Sequence, residues 1–243
     1  MEALLRVGDS CLVLAQRLIG WCGRAPALEE ELALANLGLD LLGHARGLLS
    51  RVGREIGTDE DGLAYRRDAA EFRNLLLVEQ PNGDFAHTVV RQFLFDAWSS
   101  ELWPALASST DDDVAGLAQK AAKEAAYHVR HSADWVVRLG DGTPESHRRM
   151  VAALADVWPY AGEPFLDDEV DVAAADDGLV PLPSSLLGGW RRRVEDVFEA
   201  ATVPLPPDPW WQRGGRQGRH SEHLSLLLAE MQVLHRAHPG ARW

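Results

Sequence analysis

Two pairs of side chains in this 243-residue sequence have the types and spacing to do chemistry: Asp40 with His44, and Glu124 with His128. In each, a carboxylate precedes an imidazole by four residues, which places both on one helix face about one turn apart. Such a pair can hold a metal ion in some geometries, and it can equally be a local ion pair or a pair of buried hydrogen-bonded groups. Asp96 stands alone in the apolar and aromatic run Gln92-Phe93-Leu94-Phe95-Asp96-Ala97-Trp98. Asp9 and Gln16, seven apart, share a face of the first helical segment. A carboxylate buried without a partner costs roughly several kcal/mol, so burial of any of these predicts a partner.

One polar group on each of four helices is the layout of di-iron carboxylate bundles. Those take a Glu from each of two helices and a Glu-x-x-His pair from each of the other two. Here the second helix reads Asp40-Leu41-Leu42-Gly43 and the fourth reads Glu124-Ala125-Ala126-Tyr127. In both, the histidine comes one position late, which rotates the imidazole by about 100° around the helix. Asp84-x-x-His87 has the required spacing but falls in a helix's first turn, away from the centre of a bundle. No catalytic, cofactor-binding or metal-ligating residue is therefore assigned. Asp9, Asp40, His44, Asp96, Glu124 and His128 are read instead as a vestigial polar seam, with Asp40 and Glu124 as buried structural groups. His220, Glu222 and His223 could take a stray divalent ion, but no cysteine or fourth ligand stands nearby.

The elements that must position these groups are helices, because apolar spacing of three and four recurs along the chain and strand signals are almost absent. The pattern predicts helices from Glu2 to about Trp21, from about Leu28 to Ile56, from Phe85 to Leu102 just ahead of Pro104, and from Asp111 to Leu139. Asp84, after the Pro81-Asn82-Gly83 turn, is a suitable N-cap for the third. Short helical pieces are expected over 59–78, and further helices over 144–157, 164–175, 184–201 and 221–237. The fold class is therefore all-α, a ferritin-like four-helix bundle with additional C-terminal helices. It is read as one domain over 1–243, with the core bundle over about 2–140 and a helical extension over 141–243. On the second helix, leucines cover more than half the circumference. The remaining strip of Ala33, Asn36, Asp40, Gly43, His44 and Gly47 holds small residues where a solvated strip would show Lys, Glu or Arg, so it is expected to face the interior.

A formal net charge of −13 argues against nucleic acid or an anionic membrane as the main partner. Cys11 and Cys22, among apolar residues and outside any CxxC spacing, are read as buried free thiols in a reducing, cytoplasmic compartment. No apolar run is long enough for a membrane span. The sequence contains no GxSxG elbow, GxGxxG turn or phosphate-binding P-loop. Arg191-Arg192-Arg193 and the loop bearing Arg213, Arg216 and Arg219 could meet a phosphate-bearing ligand, but are read as solvated surface. Trp210-Trp211, in a proline-rich stretch, either pins that segment to the helices or anchors a partner protein.

Several stretches resemble the C subunit of bacterial phenylacetyl-CoA epoxidases: Gly8-Asp9 through Leu18, Leu32 through Gly43, Asn74-Leu75-Leu76-Leu77-Val78-Glu79-Gln80-Pro81-Asn82-Gly83-Asp84-Phe85, Lys123 through His128, and Gly215 through Leu234 with the closing Gly240-Ala241-Arg242-Trp243. The resemblance covers nearly the whole chain and is weakest over 165–205. It implies one component of a multicomponent monooxygenase that epoxidises the ring of phenylacetyl-CoA in aerobic phenylacetate breakdown. In such systems a paralogous catalytic chain carries the di-iron centre, and a flavin and iron–sulfur reductase supplies electrons. The family that this chain resembles looks like a duplicate of that catalytic chain which lost its metal and persists as its structural partner. The expected cofactor complement of this chain is accordingly none, with di-iron expected in the partner. The expected partners are the paralogous di-iron chain, the other epoxidase components and the reductase, with a homodimer possible in isolation. An independent metal-binding ferritin-like oxidase using Asp40, His44, Asp96, Glu124 and His128 is the alternative.

Overall fold

A computed structural model describes residues 1–241; of the closing motif, Arg242 and Trp243 lie outside the described residues. Among these, ten α-helices follow in order: α1 (Glu2–Ile19), α2 (Leu28–Ile56), α3 (Glu60–Tyr65), α4 (Leu76–Glu79), α5 (Phe85–Leu106), α6 (Asp112–Gly140), α7 (Pro144–Val157), α8 (Glu169–Asp176), α9 (Leu187–Ala200) and α10 (Glu222–Ala237). The class is all-α and ferritin-like, as the periodicity predicts, and no described helix is long and apolar enough to cross a membrane. The helices gather into two compact units, one of residues 1–81 with 213–241 and one of residues 82–212.

The first unit is organised by an antiparallel pair, α1 against α2. Gly8 lies beside Leu48 and Leu49, and Gly38 beside Ala15, Leu18 and Ile19, so the two chains approach closely at both ends of the pair. α1 ends at Ile19 rather than Trp21, because a run of tight turns carries residues 18–24. Cys22 falls in that turn and is exposed, unlike the buried Cys11, which corrects the expectation of two buried thiols. α2 ends at Gly57, whose positive φ of 78° closes the helix in the left-handed region that glycine occupies without strain. α10 caps the unit: Gln232 Nε2 donates to the carbonyls of Ala64 and Arg67 at 2.9 and 3.0 Å, and Arg236 forks onto Asp68.

The second unit is built on a second antiparallel pair, α5 and α6, with α7 and α9 packed against both. Asp84 caps α5 by accepting from the His87 N–H, and Asp111 caps α6 by accepting from Asp113 and Val114. α5 does not stop before Pro104 but runs through it to Leu106. An internal proline costs about 3 kcal/mol. Continuing the helix buries Trp103 and Leu106, each worth about 1.5–3 kcal/mol, so packing outweighs local propensity. Trp158, Trp190, Phe165 and Trp211 form an aromatic cluster, and Trp190 Nε1 donates to the Leu94 carbonyl at 3.1 Å.

Candidate functional site

In the first unit, Asp9 is fully buried on α1. Arg67, on the segment after α3, meets it as a fork: Nη1 donates to Oδ2 at 2.9 Å and Nη2 to Oδ1, while the Arg73 N–H adds a bond to Oδ2 at 2.8 Å. Burial pushes the Asp9 carboxyl up, and the Arg67 guanidinium and the Arg73 N–H pull against it. The remaining Arg67 donors reach the carbonyls of Leu63 and Glu71, and its guanidinium lies over the Phe72 ring at 4.3 Å. The seam carboxylate of α1 thus has a protein cation as its counter-charge.

His44 of α2 is buried, but the strip around it is not the interior surface that its small residues suggest. Asn36 and Gly43 are exposed, and Ala33, Asp40 and Gly47 are half-buried. A Cβ added at Gly43 would meet nothing. α2 buries Leu34, Leu37, Leu41, Leu48 and Leu49 and turns Leu28, Leu32, Leu39 and Leu42 outward. Leucine on nearly every face leaves no amphipathic contrast from which to choose the buried side.

In the second unit, Asp96 of α5 is fully buried. Gln92 Nε2 donates to Oδ1 and Ser132 Oγ to Oδ2, each at 2.8 Å, and the buried His128 supplies a favourable charge. Burial dominates and raises the Asp96 pKa to about 6. Two predicted seam residues, Asp96 and His128, therefore interact electrostatically, and Ser132 lies between the Asp96 carboxylate and the His128 carbonyl. Glu124 is half-buried instead of buried, and Lys120 one turn back lies 3.1 Å from its carboxylate. His87 bridges Asp84 and Asp156 at 3.0 Å each, tying the start of α5 to α7.

A third polar centre escaped sequence reasoning. Glu79, fully buried at the end of α4, accepts from Asn74 Nδ2 at 3.0 Å, His220 Nδ1 at 2.8 Å and the Ser221 N–H at 2.6 Å. His220 Nε2 faces the Phe72 carbonyl at 3.0 Å. His220 is thus a structural clasp for the segment entering α10. A lone acid closing the apolar run Leu75-Leu76-Leu77-Val78 was the available signal. Of the two arginine clusters, Arg192, Arg213 and Arg219 are exposed as expected, while Arg216 is buried, Arg191 pairs with Asp208 at 2.6 Å and Arg193 with Glu101 at 3.4 Å. Trp211 packs over Gly162 and pins its segment, while its neighbour Trp210 is exposed.

Among the described residues, no group of three or more His, Cys, Asp or Glu side chains is arranged to hold a metal ion. The donor set does not fit a di-iron centre. The Asp9 oxygens are taken by guanidinium and backbone N–H groups, and those of Asp96 by an amide and a hydroxyl. Positions 43 and 127, where an acid-x-x-His pattern requires imidazoles, hold glycine and tyrosine.

The sequence matches the family model described as phenylacetic acid catabolic protein over residues 1–243. It is also similar to the Escherichia coli (strain K12) protein named as the C subunit of 1,2-phenylacetyl-CoA epoxidase, at 48% identity over 240 residues, which cover 98% of this chain and 97% of that one. The match runs the full length of the chain and agrees with the resemblance carried by its motifs. This chain belongs to the phenylacetic acid catabolic protein family.

Proposed function

We propose that this chain is a non-catalytic structural component of a phenylacetyl-CoA epoxidase, and that it scaffolds a paralogous chain which carries the di-iron centre. The observation that carries this reading is the state of the seam carboxylates. Asp9 is neutralised by a buried guanidinium fork and Asp96 is held by two neutral donors, so both are committed to the chain's own packing. The relative named as a component of such an enzyme supports membership of the complex.

The outward face of α2 supports the scaffolding role. Leu28, Leu32, Leu39 and Leu42 are 68%, 57%, 60% and 39% exposed, along one stripe at spacings of four, seven and three. A contiguous apolar stripe of this kind marks a protein interaction surface, and exposed Gly43 within it permits close approach of a second helix. Co-expression of the tagged chain with the di-iron paralogue from the same operon tests the proposal. The expected result is a co-purifying complex whose iron resides in the paralogue and whose assembly is lost in Leu32→Asp/Leu39→Asp. Failure of the two chains to associate would overturn it.

A further inference from the structure

The second unit contains a cavity of about 380 Å³ that plays no part in the reading above. Its floor is made by Ala122, Ala126, Val129 and Ala133 of α6, with Ser100 and Pro104 of α5 and Val197 of α9 on its sides. Its two charged lining residues are both arginines, Arg130 and Arg193. A cavity of this size lies at the low end of the roughly 300–1,000 Å³ typical of small-molecule sites, so it suits a compact ligand.

The arginines are incompletely used. Arg193 reaches Glu101 through Nη2 at 3.4 Å, a long contact. Its Nε is buried and has no hydrogen-bond partner among the described residues. Arg130 lies over the Tyr127 ring at 5.7 Å and has no carboxylate partner among the described residues. In a chain of net charge −13, two arginines line this apolar hollow; Arg130 is exposed and the Arg193 side chain is 41% exposed, and the buried Arg193 Nε is a donor left open, so an anion is the ligand that complements the hollow. Ser100 is the one uncharged polar side chain of the lining and its hydroxyl donates to the Ala97 carbonyl at 2.9 Å, so the body of such a ligand is apolar.

We propose that this cavity binds a compact carboxylate with an apolar body, its carboxylate on Arg193 and Arg130 and its hydrocarbon over the alanines of α6. The inference is independent of the scaffolding role and of any metal. Isothermal titration of the full-length chain with octanoate tests it, with octan-1-ol as the body without the charge and inorganic phosphate as the charge without the body. Octanoate is expected to bind at least about tenfold more tightly than either control, as a charge-assisted hydrogen bond over an apolar contact requires. Arg193→Met, which keeps the stem, and Ala126→Leu, which fills the hollow from an exposed position, are each expected to weaken octanoate about tenfold or more. Arg192→Met, on an exposed neighbour, is expected to leave it unchanged. Absence of octanoate binding at millimolar concentration, equal binding of either control, or octanoate affinity indifferent to both Arg193→Met and Ala126→Leu would each overturn the proposal. Circular dichroism of each variant confirms that it is folded, and the two substitutions act at different walls, so the loss of one fold leaves the other decisive.

Discussion

Replacing Asp96 with asparagine separates a structural carboxylate from one kept for metal chemistry. In the folded chain Asp96 titrates at about 6, against 3.8 for an unhindered aspartate, because burial penalises its charge more than His128, Ser132 and Gln92 favour it. Between those values the folded chain holds a proton that the unfolded chain has released. Stability therefore falls as the pH rises through this window, by about 3 kcal/mol when complete. Asparagine fits the same bonds. Its Oδ1 accepts from Gln92, and its Nδ2 donates to Ser132 Oγ, whose single proton turns from Asp96 to the His128 carbonyl 3.0 Å away. Asp96→Asn is thus expected to be more stable than the parent by up to about 3 kcal/mol at pH 7.5, with the difference shrinking to within about 1 kcal/mol below pH 4. Urea midpoints for both proteins between pH 4 and 8 measure this. A variant less stable than the parent by about 2 kcal/mol or more at pH 7.5 would refute the reasoning, since it would mean that the buried charge is required.

Removing the counter-charge of Asp9 should act in the opposite direction. Arg67→Met leaves a buried carboxylate unpaired and is expected to cost about 3–5 kcal/mol by chemical denaturation, with the double variant Asp9→Leu/Arg67→Met recovering most of it. Burial pushes the His87 pKa down, but the hydrogen bonds that its ring donates to Asp156 and Asp84 outweigh it and leave it raised. Its contribution to stability is present below 6.5 and is lost as the pH rises through the raised folded value, a dependence that a thermal melt series on His87→Asn should lack. Leu32→Asp and Leu39→Asp sit on exposed positions, so each should change the stability of the isolated chain by no more than about 0.5 kcal/mol while abolishing association with the paralogue in a pull-down.

The helices themselves were legible because their signals are local. Asp84 caps where the turn chemistry places it, α6 begins one residue after the predicted Asp111, and α2 begins and ends at the predicted residues. What was not legible depended on contacts distant in sequence. Arg67 lies 58 residues from Asp9, and no spacing rule links the two. The continuation of α5 through Pro104 is decided by the burial of Trp103 and Leu106, which outweighs the strongest local stop signal in that stretch. The outward face of α2 was hidden by its leucine content, where small residues on the adjoining strip suggested an interior that the structure does not have. Of the predicted seam, His128 acts on Asp96 electrostatically, Asp9 is claimed by Arg67, and Glu124 has Lys120 beside it.

Under the function proposed above, the remaining carboxylates and histidines serve the packing of this chain and the iron belongs to its paralogue. Elemental analysis of the chain purified alone, after growth with added iron, distinguishes the two cases. Iron is expected well below one atom per chain, unaffected by Glu124→Ala. One or two tightly held iron atoms per chain, lost on Glu124→Ala, would contradict it.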